Sequence, residues 1–362
     1  MSFHNGNSKY TKAVKKMILL EALLVLVLAA AVVNQTKVTR INSTSVETGT
    51  EEDYIKWVDF DISYDALCEA YEWDVDTYDS ETPISWTELL AYTAAKTGGK
   101  FDKSALKTMK KAAEEITSGN TTMQELTNDL KYYAYYKESY DAVLGGMVGE
   151  FEEEIEDENG VISFQSKYGL KAYFPLAKGF EYTHYDDFGA GRSYGYDRKH
   201  LGHDMMGQTG TPIIAVESGY IEAIGWNQYG GWRLGIRSFD GRRYYYYAHL
   251  RQNYPYAENL ELGSVVTAGD VIGYMGRTGY SATENINNIE VTHLHLGMQL
   301  IFDESQKENN NEIWIDLYAL SRFLTRHRQA AVKVEDTKEW IRTTNIKDPV
   351  VEAASAATES NR

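Results

Sequence analysis

The chain has 362 residues, a formal net charge of −17 and an ordinary globular composition, with 43% hydrophobic and 25% charged residues. This length suits two folded units with flexible ends, and the acidic balance argues against a nucleic-acid partner because phosphate binding needs a basic surface. The single cysteine, Cys68, excludes an internal disulfide, so the fold must depend on its core and on any metal that it binds.

An apolar run covers residues 17–33, behind a leader at residues 1–16 that carries four lysines. The run is near the short limit for a membrane-spanning helix, and lysines on its N-terminal side favour a cytoplasmic N-terminus. We expect a single-pass signal-anchor in the cell membrane, with the rest of the chain extracellular. Cleavage of a signal peptide near residues 29–31, which gives a secreted protein, is the alternative. The polar residues 34–54 predict a linker.

Residues 55–158 have helical patterns and predict a small α-helical domain. Ser85 and Glu88 have the spacing of a capping box at a helix N-terminus. None of the acidic residues in this segment has the spacing of an active site, and a role in contacting another envelope protein stays open. The expected helices are one that ends at Gly98-Gly99, one at residues 104–116 and one at residues 123–145.

Residues 160–328 change to short β-rich runs separated by glycine turns, which predicts a compact antiparallel β domain. Asp240-Gly241, between two such runs, is a strong signal for a two-residue hairpin. The polar residues 329–362 predict a flexible tail. The expected strands lie at residues 212–216, 220–226, 233–237, 243–248, 271–275 and 294–300.

Five of the eight histidines lie between His200 and His295, inside the predicted β domain. His200 and Asp204 form H-x-x-x-D, and His293 and His295 form H-x-H. Alternate residues of a strand point to the same face, so the H-x-H histidines should project into one cleft. Two imidazoles and a carboxylate are a common ligand set for catalytic zinc, which activates water at neutral pH. The helical H-E-x-x-H motif is absent from the sequence.

Six short motifs follow one another between about residues 190 and 300. They are His200-Leu201-Gly202-His203-Asp204, Gly210-Thr211-Pro212-Ile213-Ile214-Ala215, Tyr247-Ala248-His249-Leu250, residues 263–273, Gly276-Arg277-Thr278-Gly279 and His293-Leu294-His295. In this order they resemble the lysostaphin/LytM-type zinc metalloendopeptidases, a peptidoglycan endopeptidase family with the duplicated hybrid motif fold.

The resemblance implies one zinc ion per chain, with His200, Asp204 and His295 as its ligands. It implies that His249 and His293 are catalytic residues beside the water that the metal activates. The implied substrate is the stem peptide or cross-bridge of bacterial peptidoglycan, cut by hydrolysis. We predict no role for the remaining histidines, which are His4, His184, His203 and His327.

Two departures from the family pattern affect the expected function. Residues 280–292 are a long polar stretch where the family has a short turn, and we expect them to border the groove. Leu296-Gly297-Met298-Gln299 replaces the usual Phe-Glu, with little expected chemical effect. The alternative to an active peptidase is a non-catalytic or autoinhibited LytM-like interaction protein of the cell envelope. Because all five positions keep competent residues, we favour the peptidase.

Overall fold

The computed structural model describes residues 54–194, 196–307 and 311–360. The predicted leader, the predicted anchor at residues 17–33 and the predicted linker up to residue 53 lie outside the described residues. Within the described part of the chain, no helix is long and apolar enough to cross a membrane.

Five helices form the N-terminal part of the described chain. Ser63 begins the first helix and accepts a hydrogen bond from the backbone of Ala66, and Asp102 caps the third helix in the same way. The second helix ends at Gly98, whose φ of 69° is readily adopted by glycine. The helices are α1 (Tyr64–Thr77), α2 (Trp86–Thr97), α3 (Lys103–Thr117), α4 (Met123–Thr127) and α5 (Tyr133–Leu144).

Three details of the helical prediction are wrong. Ser85 precedes α2, but its side chain contacts Thr87 and makes no capping bond, while a capping box forms between Thr122 and Glu125 at the start of α4. The single helix predicted at residues 123–145 is two helices, α4 and α5. The prediction of helical structure up to residue 158 fails because residues 148–156 alternate around buried Phe151 and form strand β1.

The largest sheet has eight strands and is antiparallel, as predicted for the β domain. Its order is β11-β8-β9-β10-β13-β6-β3, with β14 also pairing β13. Asp240-Gly241 does connect two neighbouring strands, β9 and β10, but the connection runs over residues 239–242 rather than two residues. The strands are β3 (Thr183–His184), β6 (His203–Met206), β8 (Gly219–Asn227), β9 (Gly231–Ser238), β10 (Arg243–Ala248), β11 (Val265–Val266), β13 (His293–Leu300) and β14 (Ile313–Trp314).

Smaller sheets surround this one. β17, β1 and β2 form a three-stranded sheet, β4 pairs β5 in a hairpin, and β7 pairs β12. Helix α6 (Tyr318–Leu324) follows β14. The strands are β1 (Val148–Glu156), β2 (Ile162–Leu170), β4 (Gly191–Tyr194), β5 (Tyr196–Lys199), β7 (Pro212–Ile214) and β12 (Val271–Tyr274).

The prediction of a flexible tail over residues 329–362 is wrong for most of its length. Ile346 is 4% exposed and Asp348 is 2% exposed, and the latter pairs with Lys171 and accepts a hydrogen bond from Ser218. Only a few side chains of this segment are buried. The segment therefore has no apolar periodicity from which its strands could have been predicted. Its elements are β15 (Ala331–Lys333), β16 (Trp340–Arg342), β17 (Ile346–Lys347) and α7 (Pro349–Ser360).

One hydrophobic core runs through the helices and the large sheet, so Tyr54–Arg362 forms one compact unit. Leu67 and Leu90 of the helices belong to the same buried cluster as Leu234 and Met298 of the sheet. At the start of the described chain, the Gln306 side chain donates to the carbonyl of Ile55 across 2.8 Å. The helical segment therefore packs as part of the same unit as the sheet.

A buried arginine cluster joins the helices to the sheet. Arg243, 1% exposed at the start of β10, makes a bidentate pair with Glu217 at 2.7 and 2.9 Å. It also donates to Asp240 and to the carbonyl of Ala142 in α5, each at 2.7 Å, and Tyr245 donates to Glu217 at 2.6 Å. We call Arg243, Glu217, Asp240 and Tyr245 the arginine cluster.

Candidate metal centre

The pairing of β6 with β13 brings the two halves of the predicted site together. Asp204 on β6 lies directly opposite His295 on β13, and Ala248 at the end of β10 lies opposite His295 on the other side. His200 follows β5 and approaches from the adjacent hairpin. Residues directly opposite each other on antiparallel strands have Cβ atoms about 5 Å apart, so the side chains of Asp204 and His295 can share one ligand.

Three donor atoms converge at this point. His200 Nε2 lies 3.0 Å from Asp204 Oδ1 and 3.1 Å from His295 Nδ1, which is 2.9 Å from Asp204 Oδ1. We call His200, Asp204 and His295 the donor cluster. Atoms that bind one tetrahedral zinc at about 2.1 Å are separated by roughly 3.3 Å, so these distances fit a single shared ion. Among the described residues, these three form the group of His and acidic residues able to hold a metal.

The charge state of the donor cluster favours a cation. Burial alone would raise the pKa of Asp204, but hydrogen bonds with His200 and His295 hold it well below its usual range. Burial lowers the pKa of His295 and outweighs the opposing effect of Asp204. The pKa of His200 is raised: burial opposes its charge, but Asp204 and Asp187 favour it more strongly. The carboxylate of Asp204 thus stays ionised beside the two imidazoles, which suits the binding of a divalent metal.

His249 and His293, predicted as the catalytic pair, flank the donor cluster. Their ring centroids are 4.7 Å apart, and His293 Nε2 lies 3.8 Å from Asp204 Oδ1. The Nδ1–H of His249 donates to the carbonyl of Thr278 at 3.0 Å, and that of His293 donates to Val291 at 2.8 Å. These bonds leave each Nε2 with a lone pair. Burial, together with the neighbouring His293, holds the pKa of His249 well below its usual range.

Three residues that the sequence analysis missed support the donor cluster. His200 Nδ1 donates to the backbone carbonyl of Asp187 at 3.3 Å and lies 3.1 Å from the carboxylate Oδ1 of the same residue, which directs Nε2 toward the other donors. Arg192 contacts Asp204 Oδ2 at 3.2 Å. A Cβ at Gly202 would lie 2.5 Å from the His295 ring, so this position requires glycine. Asp187 stands in a loop without periodic spacing, and no pattern could have identified it.

The donor cluster lies in a narrow groove. The cavity measures about 70 Å³ and is lined by the five predicted site residues and by Arg192, Arg198, Tyr229, Gly230, Tyr246, Ala248 and Tyr280. Tyr280 begins the polar stretch 280–292, which was expected to border the groove, and its side chain accepts a hydrogen bond from Arg198. The amide of Asn285 fixes this stretch, because its oxygen accepts from Trp232 Nε1 and from the backbone of Asn253, each at 2.9 Å.

His4 lies outside the described residues, and the other three histidines without a predicted role lie away from the groove. His203 alternates with Asp204 on β6, so it points to the opposite face, where it lies 2.8 Å from Nδ1 of His184. Burial, with His184 second, lowers the pKa of His203 to about 4. His327 stacks on Tyr173 at 3.9 Å. None of these three lines the groove.

The sequence of this region matches a known family. The model of peptidase family M23 matches residues 198–310. Residues 198–310 are a peptidase family M23 domain. The M23 domain contains all five predicted site residues, whereas Asp187, Arg192 and the helical segment lie outside the matched range.

Related proteins are similar to part of this chain. It is 34% identical to L-Ala–D-Glu endopeptidase of Bacillus subtilis (strain 168) over 141 residues, which are 39% of this chain and 40% of that protein. It is 35% identical to glycyl-glycine endopeptidase ALE-1 of Staphylococcus capitis over 95 residues, 26% of this chain and 25% of that protein. The chain thus spans less than half of the length of these relatives.

One solved structure aligns with most of the length of this chain. A LytM assigned as a glycyl-glycine endopeptidase, from Ruminococcus gnavus ATCC 29149, superposes with a TM-score of 0.48 at 23% identity, covering 75% of this chain and 91% of that one.

Proposed function

We propose that this protein is a membrane-anchored zinc endopeptidase that hydrolyses peptide bonds of bacterial peptidoglycan. The observation that carries the proposal is the convergence of His200 Nε2, Asp204 Oδ1 and His295 Nδ1 to within 3.1 Å of one another. The M23 domain around them supports hydrolysis of cell-wall peptides. One zinc ion per chain is the expected stoichiometry.

The residues around the groove have different chemical roles in the proposed hydrolysis. When bound, zinc supplies a Lewis acid that polarises the scissile carbonyl and activates water. His249 and His293 each present a free Nε2, which can take a proton from the attacking water and deliver it to the leaving amine. The bonds to the carbonyls of Thr278 and Val291 fix the tautomer of each ring, so both rings are oriented before substrate arrives.

The proposed substrate class follows from two relatives. By its name the Bacillus protein cuts between L-Ala and D-Glu, and the Staphylococcus protein cuts between glycines. Both names describe an endopeptidase, and we propose the stem peptide or cross-bridge of peptidoglycan as the peptide that this chain cuts. We assign this shared class to the M23 domain.

The proposed location depends on residues 17–33. These form the anchor, the N-terminus is cytoplasmic, and the M23 domain faces the cell wall outside. Fusion of a reporter to residue 362, active only on one side of the membrane, tests the orientation. An outside-active reporter supports the proposal; an inside-active one contradicts it.

An autoinhibited protein is a second candidate, and one observation favours it. A cavity of about 70 Å³ is small beside the space that a bound peptide needs, and Arg198 and Tyr280, which both line it, are bonded to each other. In this form, cleavage would need a partner that separates the two walls. The helical segment, which packs behind the sheet, could transmit such a contact.

The test uses residues 51–362 and measures bound metal before and after chelation. Digestion of purified peptidoglycan is then followed by mass spectrometry of the fragments. Release of new amine ends that stops with chelator and returns with zinc supports the endopeptidase. Stoichiometric zinc without digestion supports autoinhibition, and absence of bound metal contradicts both.

A further inference from the structure

Arg198 occupies the wall of the groove two residues before His200. It lies on β5, in the hairpin that also supplies Arg192, and it lines the same cavity as the donor cluster. Its guanidinium carbon lies 5.8 Å from the ring centre of Tyr229 and 5.2 Å from that of Tyr280. Two aromatic faces at these distances hold a guanidinium in place at a small cost in entropy.

The hydrogen bonds of Arg198 are incomplete. One terminal nitrogen donates to the hydroxyl of Tyr280, but Nε is buried and has no hydrogen-bond partner. Within the described residues, no carboxylate forms an ion pair with Arg198. Arg192, on the neighbouring strand, differs: it pairs with Asp187 at 2.5 Å and with Asp204 at 3.2 Å, so its charge is neutralised inside the protein.

An unpaired buried N–H is unfavourable, because the group has lost its hydrogen bonds to water. Tyr280, which holds Arg198, has a φ of 48°, a conformation that a tyrosine rarely adopts. Strained residues of this kind persist where the surrounding structure fixes them, often at ligand sites. Both features point to a group that is positioned for an incoming acceptor.

We propose that Arg198 is the specificity residue of the groove, binding a carboxylate of the substrate peptide beside the scissile bond. This proposal rests on the endopeptidase function proposed above and narrows its substrate to acidic peptides. The Nε–H, with the adjacent terminal N–H, forms the fork that accepts a carboxylate in a bidentate arrangement. Uncharged peptides such as glycine chains leave that fork unpaired.

The charge of the whole protein makes a local cation necessary. A chain with a formal net charge of −17 repels an acidic peptide at long range. Of the two arginines that line the cavity, Arg192 is already paired with two carboxylates. Arg198 is therefore the group that offsets the repulsion at the point of binding.

The test compares two stem peptides that differ in one group. The first has a free carboxylate on its glutamyl residue, and the second has a carboxamide there, with the same bonds to cut. The full chain in detergent is assayed as wild type, Arg198→Gln and Arg198→Lys. Arg326→Gln is the matched control, because Arg326 pairs with Glu72 and does not line the groove.

The wild type should cleave the acidic peptide with a kcat/KM about tenfold higher, mainly through a lower KM, because a charge-assisted bidentate pair is worth about a factor of ten or more. Arg198→Gln should lose this preference, because its kcat/KM on the acidic peptide should fall about tenfold more than its kcat/KM on the carboxamide. Arg198→Lys should keep a part of it, and Arg326→Gln should keep all of it. If Arg198→Gln lowered kcat/KM equally for both peptides, Arg198 would only support Tyr280 structurally, and the proposal would be wrong.

Tyr280→Phe separates the two roles. It removes the hydrogen bond from Arg198 but keeps an aromatic ring beside the guanidinium, so the preference for the acidic peptide should survive. If Tyr280→Phe abolishes the preference as fully as Arg198→Gln does, the proposal is overturned.

Binding of the two peptides to the metal-free protein, measured by calorimetry, gives a readout that does not depend on cleavage. The acidic peptide should bind about tenfold more tightly than the carboxamide, and Arg198→Gln should remove the difference. A wild type that cleaves both peptides equally overturns the specificity and leaves the endopeptidase intact. A wild type that cleaves neither overturns the endopeptidase, and the binding difference then decides the role of Arg198.

Discussion

Strand β10 has a buried polar cluster at each end. The groups of one cluster are paired with each other, whereas the groups of the other converge on a single point. At its first residue, Arg243 donates to Glu217, Asp240 and the carbonyl of Ala142, so the arginine cluster is satisfied within the chain. Beyond its last residue, Ala248, lies the donor cluster, where two imidazole nitrogens and a carboxylate oxygen point at one another within 3.1 Å. Internal pairing of donors and acceptors stabilises a fold, whereas convergent acceptors require an external cation.

The comparison predicts that Asp204→Ala abolishes function and spares the fold. Loss of the only carboxylate of the donor cluster should eliminate bound zinc and reduce peptidoglycan hydrolysis by about 1000-fold or more. Metal content, hydrolysis and circular dichroism are measured on the same sample. Asp186→Ala, at an exposed carboxylate nearby, is the control and should keep both zinc and activity. Zinc retention by Asp204→Ala would contradict the ligand assignment.

At the other end of β10, Arg243→Ala should destabilise the fold. It leaves Glu217 buried without its partner, and removal of one member of a buried pair costs about 3–5 kcal/mol of unfolding free energy. Urea denaturation measures this loss. The double variant Arg243→Met with Glu217→Leu removes both charges and should recover much of it. An unchanged midpoint for the single variant would mean that the arginine cluster does not hold the helices to the sheet.

A smaller effect is expected where a carboxylate supports the donor cluster from outside. Asp187→Asn removes the negative charge that lies 3.1 Å from His200 Nδ1, so the affinity for zinc should fall about 10- to 100-fold. Competition with a chromophoric chelator measures the change. Asp186→Asn is the matched control and should bind zinc like the wild type; equal weakening in both would indicate a general charge effect.

The smallest expected effect is a loss of folding stability at acidic pH. It arises from His327, a buried histidine remote from both clusters. The pKa of His327 is lowered by burial, which outweighs its bond to the carbonyl of Ala172. The unfolded chain therefore binds the proton first, and stability is lost as pH falls below about 6.5. The melting temperature should drop by about 2 °C more in the wild type than in His327→Gln between pH 7.5 and 5.5. Parallel curves for the two proteins would exclude His327 as a source of this loss.

Much of the large sheet could be predicted from its sequence because its signals are local. The expected strand at residues 243–248 has the bounds of β10, and the H-x-H pattern places two side chains on one face of β13. Asp240-Gly241 marks its connection through backbone chemistry alone. The prediction of five site residues depended on the order of their motifs, which resembles a family, because two histidines at alternate positions are weak evidence by themselves.

The parts that were missed depend on contacts between distant residues. Asp187 and Arg198 lie on or beside a short polar hairpin, and their importance appears only when β4 and β5 fold beside the donor cluster. Residues 331–347 form strands by pairing with one another and with β1, although they lack an apolar alternation. Asp348 is buried because Lys171 and Ser218 meet it, at separations of 177 and 130 residues.

The bond between Gln306 and Ile55 has a consequence for how the protein is made. Its two residues are separated by 251 positions, and a ribosome that adds about 5–20 residues per second needs roughly 10–50 s to synthesise the stretch between them. Until β13 has been synthesised near the end of that interval, α1–α5 exist without the complete sheet on which their apolar faces pack. Nascent helices in this state are targets for chaperones and proteases, so we expect truncated chains that end before Gln306 to be degraded rather than accumulate.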